Sequence, residues 1–117
     1  MLPMELAAAN DNVRMLDLLY RHGGQVNPKL TEGGYSPLAA AAEESALASL
    51  NWLIAHGADI QAQGERAIFE ALDRCRVAPI EILMRADAKV GADARLRLTE
   101  DAKAYGCPSR VLLLLKP

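Results

Sequence analysis

Apolar residues recur along the chain at intervals of three, three and one. Val13, Leu16, Leu19 and Tyr20 form the first set, Leu47, Leu50, Leu53 and Ile54 the second, and Val77, Ile80, Leu83 and Met84 the third. Positions i, i+3, i+6 and i+7 fall on one stripe of an α-helix. A fourth set, Pro108, Val111, Leu114 and Leu115, keeps the spacing 31 residues after the third. Its opening proline suits the start of a helix, where a missing N–H is no loss. Ahead of each set lies a short, mostly Ala-rich segment, at 6–10, 38–44, 68–74 and 99–105. Alanine has the highest helix propensity, and its single methyl lets neighbouring helices approach closely. Stretches at 24–35, 58–65 and 88–96, with glycines and polar residues, separate the pairs and predict turns or hairpin-like loops.

The same register appears in the sequence itself. His22-Gly23-Gly24-Gln25-Val26-Asn27 is followed 34 residues later by His56-Gly57-Ala58-Asp59-Ile60-Gln61. Arg85-Ala86-Asp87-Ala88-Lys89-Val90-Gly91 is a weaker third copy. Pro3 and Pro37 fit first-turn positions, and Gly23 and Gly57 fit the left-handed residue that ends a helix. Each unit therefore reads as helix, tight turn, helix and extended loop. One such pair cannot bury both of its sides, so stability has to come from stacking neighbours.

Composition agrees with this and adds limits. Of 117 residues, 21 are Ala and 18 are Leu; 51% are hydrophobic and 24% charged, the profile of a folded globular chain. The longest apolar run, 111–115, is far too short to span a membrane. The N-terminus has neither the basic segment nor the apolar stretch of a secretory signal, so export by that route is not expected. With 13 basic against 15 acidic residues there is no basic excess for nucleic-acid binding. Two cysteines, Cys75 and Cys107, are too few for a disulfide framework or a zinc site. They fall near the turns of neighbouring units. With stacked helices about 8–10 Å apart, an offset of one unit exceeds the roughly 7 Å Cα limit for a disulfide, so free thiols and a cytoplasmic location are expected.

Ser36-Pro37-Leu38-Ala39-Ala40-Ala41-Ala42 and His56-Gly57-Ala58-Asp59-Ile60 make the chain resemble the ankyrin repeat family. They stand where that family writes Thr-Pro-Leu-His-Leu-Ala-Ala and His-Gly-Ala-Asp-Val. Units one and two match closely. The third departs, with Ala67 for the proline, Cys75 for the turn glycine and Asp87 for the loop glycine. The fourth has Gly106 in the turn but Lys103 in place of the second alanine. The resemblance implies an all-α ankyrin-repeat solenoid in a single domain, 1–117, with repeats at approximately 2–34, 35–64, 65–95 and 96–117.

Candidate chemistry is sparse. No nucleophile motif, zinc-binding His-Glu-x-x-His, phosphate loop or EF-hand loop occurs. Ser36 is expected to cap a helix. His22 and His56 are expected to stabilise loops, since one stacking step separates them and no third ligand repeats with them. Glu43 with Glu44, and Glu100 with Asp101, read as solvated helix faces and not as an acid–base pair held across a cleft. No enzyme activity, metal or cofactor is expected.

The resemblance implies binding of a partner protein through the concave face. By position that face takes in the loop ends Glu32, Tyr35, Gln63, Glu65 and Leu96. From the first helices it takes Ala9, Asn10, Glu43, Glu44, Asp73, Arg74, Ala104 and Tyr105, with Phe69 beside them. The expected contact set is Tyr35, Glu43, Glu44, Glu65, Phe69, Asp73 and Arg74. It leans acidic, which points to a partner with basic groups. A small regulatory or neutralising subunit (an inhibitor or immunity-type protein) and a fragment of a longer ankyrin scaffold are the alternative roles. At the C-terminus, residues 111–115 are apolar all round. Such a helix either folds back on the stack, joins a dimer or partner interface through Val111, Leu112 and Leu115, or meets a further repeat.

Overall fold

The computed structural model describes residues 2–29, 35–86, 88 and 90–116. Among them are eight α-helices and no strand. They are α1 (Pro3–Ala9), α2 (Val13–Arg21), α3 (Pro37–Glu43), α4 (Leu47–Ala55), α5 (Ile60–Leu72), α6 (Val77–Arg85), α7 (Ala92–Ala104) and α8 (Ser109–Leu115). Odd-numbered helices pack side by side in an inner layer and even-numbered ones in an outer layer. The result is an elongated stack of four helix pairs, 41 × 24 × 21 Å.

Local signals place the helix ends where the sequence puts them. The Ser36 hydroxyl accepts the Ala39 N–H at 3.2 Å, and Pro37 occupies the first turn of α3. Asn12 caps α2 by accepting from Met15 N–H at 3.1 Å. Gly23 and Gly57, at φ 92° and 88°, end α2 and α4 in the left-handed region. The central stripe position of each outer helix (Leu16, Leu50, Ile80, Val111) is inaccessible to solvent, as is all of 38–42 in α3. Alanine at 39–42 is what lets α3 lie between α1 and α5 with no space left for larger side chains.

Two predicted loops are partly helical instead. α5 begins at Ile60 and α7 at Ala92, so much of 58–65 and 88–96 belongs to the inner helices. In the second unit, Pro37 and the Ser36 cap fix where the inner helix starts. In the third, Ala67 replaces the proline and Gln61, Ala62, Gln63, Glu65 and Arg66 are tolerant of helix. The start slides back to Asp59, whose carboxylate accepts the Ala62 N–H at 3.1 Å. The boundaries at 64/65 and 95/96 fall inside these longer helices. Gly64 lies within α5, and a Cβ there would come 3.1 Å from the Ala88 Cβ, so the glycine lets Ala88 lie close against the helix.

Neighbouring units are also tied by polar contacts. The Asn27 Oδ1 accepts from Asp59 N–H at 2.7 Å and from Gln63 Nε2 at 2.9 Å, while its Nδ2 donates to the Gly57 carbonyl at 2.9 Å. The turn residue between inner and outer helices is left-handed in each unit: Asp11, Ser45, Cys75 and Gly106. From that position a side chain can reach the next unit, as Asp11 does when its Oδ1 accepts the Ser49 N–H at 2.8 Å.

Cys75 uses the same geometry, and it overturns the expectation of free thiols. Cys75 and Cys107 form a disulfide with Cα atoms 5.3 Å apart. A separation of 8–10 Å applies to helix axes. Residues on the facing sides of two helices stand closer than the axes, because each Cα lies about 2.3 Å off its own axis. The cysteine argument for a cytoplasmic location goes with the free thiols, since persistent disulfides belong mainly to oxidising compartments.

Of the three alternatives for the apolar stretch 111–115, the structure shows the first, folding back on the stack. Val111 and Leu115 are buried, and α8 packs on α6 and α7. The Arg95 guanidinium holds the end of α8 by donating to the Lys116 and Leu115 carbonyls at 2.6 and 3.3 Å. Leu112 is half-buried, and within α8 only Leu113 is an exposed apolar residue. At the opposite end, Leu2, Leu6, Met15 and Leu18 are exposed. The last three are in register with Ala40, Ser49 and Trp52, positions that the preceding unit covers wholly or in part.

Candidate protein-binding face

The inner helices bring the expected contact residues onto one face in three connected groups. Tyr35 precedes α3, and its hydroxyl donates to Glu43 Oε2 at 2.9 Å, so the ring lies along the helix. Burial, this hydrogen bond and the negative charges of Glu43 and Glu70 hold the Tyr35 phenol well above its usual ionisation range. Phe69 stands on the next inner helix. Between the two rings sits the Arg66 guanidinium, 5.9 Å from the Tyr35 centroid and 5.8 Å from that of Phe69, with its Nε donating to Glu70 Oε1 at 2.7 Å. Cation–π contacts on both sides and a carboxylate at its edge fix this arginine.

Further along, Glu65 on α5 pairs with Arg97 on α7 at 3.2 Å. The two helices enclose a depression of about 370 Å³ lined by Ala62, Glu65, Arg66, Phe69, Arg97, Leu98 and Asp101. At the turn end of the face, Glu44 on the α3 side and Arg74 after α5 approach to 3.6 Å. Asp73 is exposed beside Arg74 and joins no ion pair among the described residues. Gln63 is not on the surface; it is buried under the Asn27 loop. Leu96 is exposed on α7, and Asn10, Ala104 and Tyr105 are exposed at the ends of α1 and α7. Ala9 is half-buried. Glu32, Asp87 and Lys89 lie outside the described residues.

Arg66, Glu70 and Arg97 escaped the sequence reading. Arg66 and Glu70 are four residues apart, a spacing that predicts a helix-surface pair once α5 is known to run through both. The glycine and polar residues around 65 predict a loop, which hides that signal. The face is consequently more mixed than expected. Three arginines (66, 74 and 97) neutralise Glu70, Glu44 and Glu65. Glu43, Asp73 and Asp101 carry no ion pair among the described residues, so the surface keeps an acidic excess.

On the outer side, His56 stacks on the Trp52 ring at 3.8 Å, its Nδ1 lies 2.8 Å from the Trp52 carbonyl oxygen, and Tyr20 packs edge-on to both rings. These contacts join His56 to the outer helices α2 and α4, not to the loop that it is expected to stabilise. No group of three His, Cys, Asp or Glu side chains able to hold a metal comes together among the described residues, and no helix there is long and apolar enough to cross a membrane.

The family model for ankyrin repeats in three copies matches residues 2–94. The chain belongs to the ankyrin repeat family. An ankyrin repeat and KH domain-containing protein of Caenorhabditis briggsae is 34% identical over 87 residues, which is 74% of this chain and 3% of that relative. The chain thus spans a small part of the curated protein it resembles. Ankyrin repeats are in general protein–protein interaction modules without enzymatic activity. The matched region ends inside the first turn of α7, so the α7/α8 pair is added to the ankyrin array by the structure itself.

Proposed function

We propose that the protein is a non-enzymatic binding module that grips one partner protein on the face formed by Tyr35, Glu43, Glu44, Glu65, Phe69, Asp73 and Arg74, joined by Arg66 and Arg97. The observation that carries this reading is the depression between α5 and α7, lined by the apolar Ala62, Phe69 and Leu98 and by the charged Glu65, Arg66, Arg97 and Asp101. Aromatic and arginine side chains set in a recess are the types that supply most of the energy in protein interfaces. The acidic excess favours a partner segment with an apolar anchor followed by basic groups, since unpaired carboxylates attract and orient cations. A regulatory or neutralising subunit would use the same surface.

The test is affinity capture with the full chain and two variants. Phe69→Ala removes the aromatic side chain lining the depression, and Glu43→Lys with Glu44→Lys reverses the acidic charge on the α3 side of the face. Partners lost with both variants fit the proposal. Partners retained by both would place binding elsewhere.

A further inference from the structure

We infer that the Cys75–Cys107 bond is a redox control on the α5–α7 depression: the disulfide holds the fourth helix pair in place, and reduction loosens the wall of the recess that α7 supplies. This rests on the depression being the binding surface, and names its regulation. The bond joins the turn after α5 to the residue two before α8, so it ties the C-terminal ends of the two helices that line the recess. α5 and α7 pack far less extensively than α1 with α3 or α3 with α5. The ion pair between them, Glu65 with Arg97, has both side chains more than half exposed, a setting in which such pairs contribute little. Arg95 donates to the end of α8 and, through its Nε at 3.1 Å, to the Val90 carbonyl just ahead of α7, but to neither α5 nor α6. Among the described residues the fourth pair packs on the third alone, and a pair held on one side opens more readily than one held on both. Without the covalent tie, Arg97, Leu98 and Asp101 are held by the weakest interface in the inner layer.

The chemistry needs a dithiol reductant. Its thiolate attacks the Cys75 sulfur, since Cys75 is half-buried whereas Cys107 is buried. The S–S bond breaks, Cys107 leaves as thiolate and takes a proton, and a mixed disulfide forms at Cys75. The second thiol of the reductant closes on its own sulfur, releasing Cys75 as a thiol and a cyclic disulfide. Two electrons and two protons pass from the dithiol to the protein. The Cys107 sulfur lies 3.7 Å from the Leu72 carbonyl oxygen, which can accept from its thiol once the bond is open.

Hydrogen exchange read by mass spectrometry on the full oxidised chain, on the chain treated with dithiothreitol, and on Cys75→Ser with Cys107→Ser tests this without any partner. In the reduced chain, amides of α7 and α8 should exchange about tenfold faster or more, with α1 to α4 unchanged. The double serine variant should match the reduced chain and ignore dithiothreitol. Equal protection of α7 and α8 in both redox states overturns the inference, as does a loosening spread evenly over all helices. If the serine variant does not fold, reduction of the folded native chain decides alone. Failure of the binding reading shows separately, as partner capture by the oxidised chain that is indifferent to Phe69→Ala.

Discussion

Asn27→Ala should be among the most damaging single substitutions of an exposed residue in this chain. Asn27 makes three hydrogen bonds into the second unit: to the Gly57 carbonyl, from the Asp59 N–H and from the Gln63 side chain. The first two are exposed, and each is worth about 0.5–1 kcal/mol. The third differs, because Gln63 is only 2% exposed and its Oε1 already has no partner. Removing Asn27 orphans the buried Nε2 as well, at a cost of about 1–3 kcal/mol. The sum is roughly 2–5 kcal/mol, or a fall in Tm of roughly 8–20 °C at about 4 °C per kcal/mol for a chain of this size. Urea unfolding followed by circular dichroism at the helix band measures it. A loss below about 1 kcal/mol would refute the reasoning. A second arm isolates the buried amide. Gln63→Leu in the Asn27→Ala background should recover about 1–2 kcal/mol, because no orphaned donor then remains. Losses that simply add would show that the amide is not the dominant cost.

Three further outcomes are expected. Ser45→Gly should stabilise the fold by about 1 kcal/mol in urea unfolding, since Ser45 is held left-handed at φ 53° and its hydroxyl makes no hydrogen bond among the described residues; an unchanged or lower midpoint would contradict the cost assigned to that turn. The Tyr35 phenol is raised above its unfolded value, so its stabilising effect is complete below the unfolded pKa and is lost as pH rises beyond it. Stability should therefore fall above about pH 10, Tyr35→Phe should flatten that slope, and the Tyr35 phenol should ionise above the usual tyrosine range in an ultraviolet titration. Leu6→Lys with Leu18→Lys should change stability by less than about 0.5 kcal/mol, whereas Leu50→Ala, at the buried centre of α4, should cost about 2–5 kcal/mol; similar losses from the two variants would mean that the N-terminal end is covered after all.

What the sequence determined by itself is the unit and its repetition. The stripe through Leu16, Leu50, Ile80 and Val111, the Ser36 cap, the prolines at first turns and the glycines after α2 and α4 are all local properties, written in residues a few positions apart. They establish the all-helical stack and its ankyrin membership. What only the tertiary structure decided depends on distances between units. α5 and α7 lengthen because nothing in their sequence stops a helix once Pro37 has no counterpart, and how far they run depends on what they pack against. Cys75 meets Cys107 because turn residues project from one unit towards the next, inside the spacing of the helix axes. Arg66 lies between Tyr35 and Phe69 only when the second and third inner helices are side by side. For the apolar stretch 111–115 the sequence leaves fold-back, an interface or a further repeat open, because periodicity cannot say which neighbour covers a face. The stack turns Val111 and Leu115 inward and leaves Leu6, Met15 and Leu18 exposed, because no described residue packs on that side of α1 and α2.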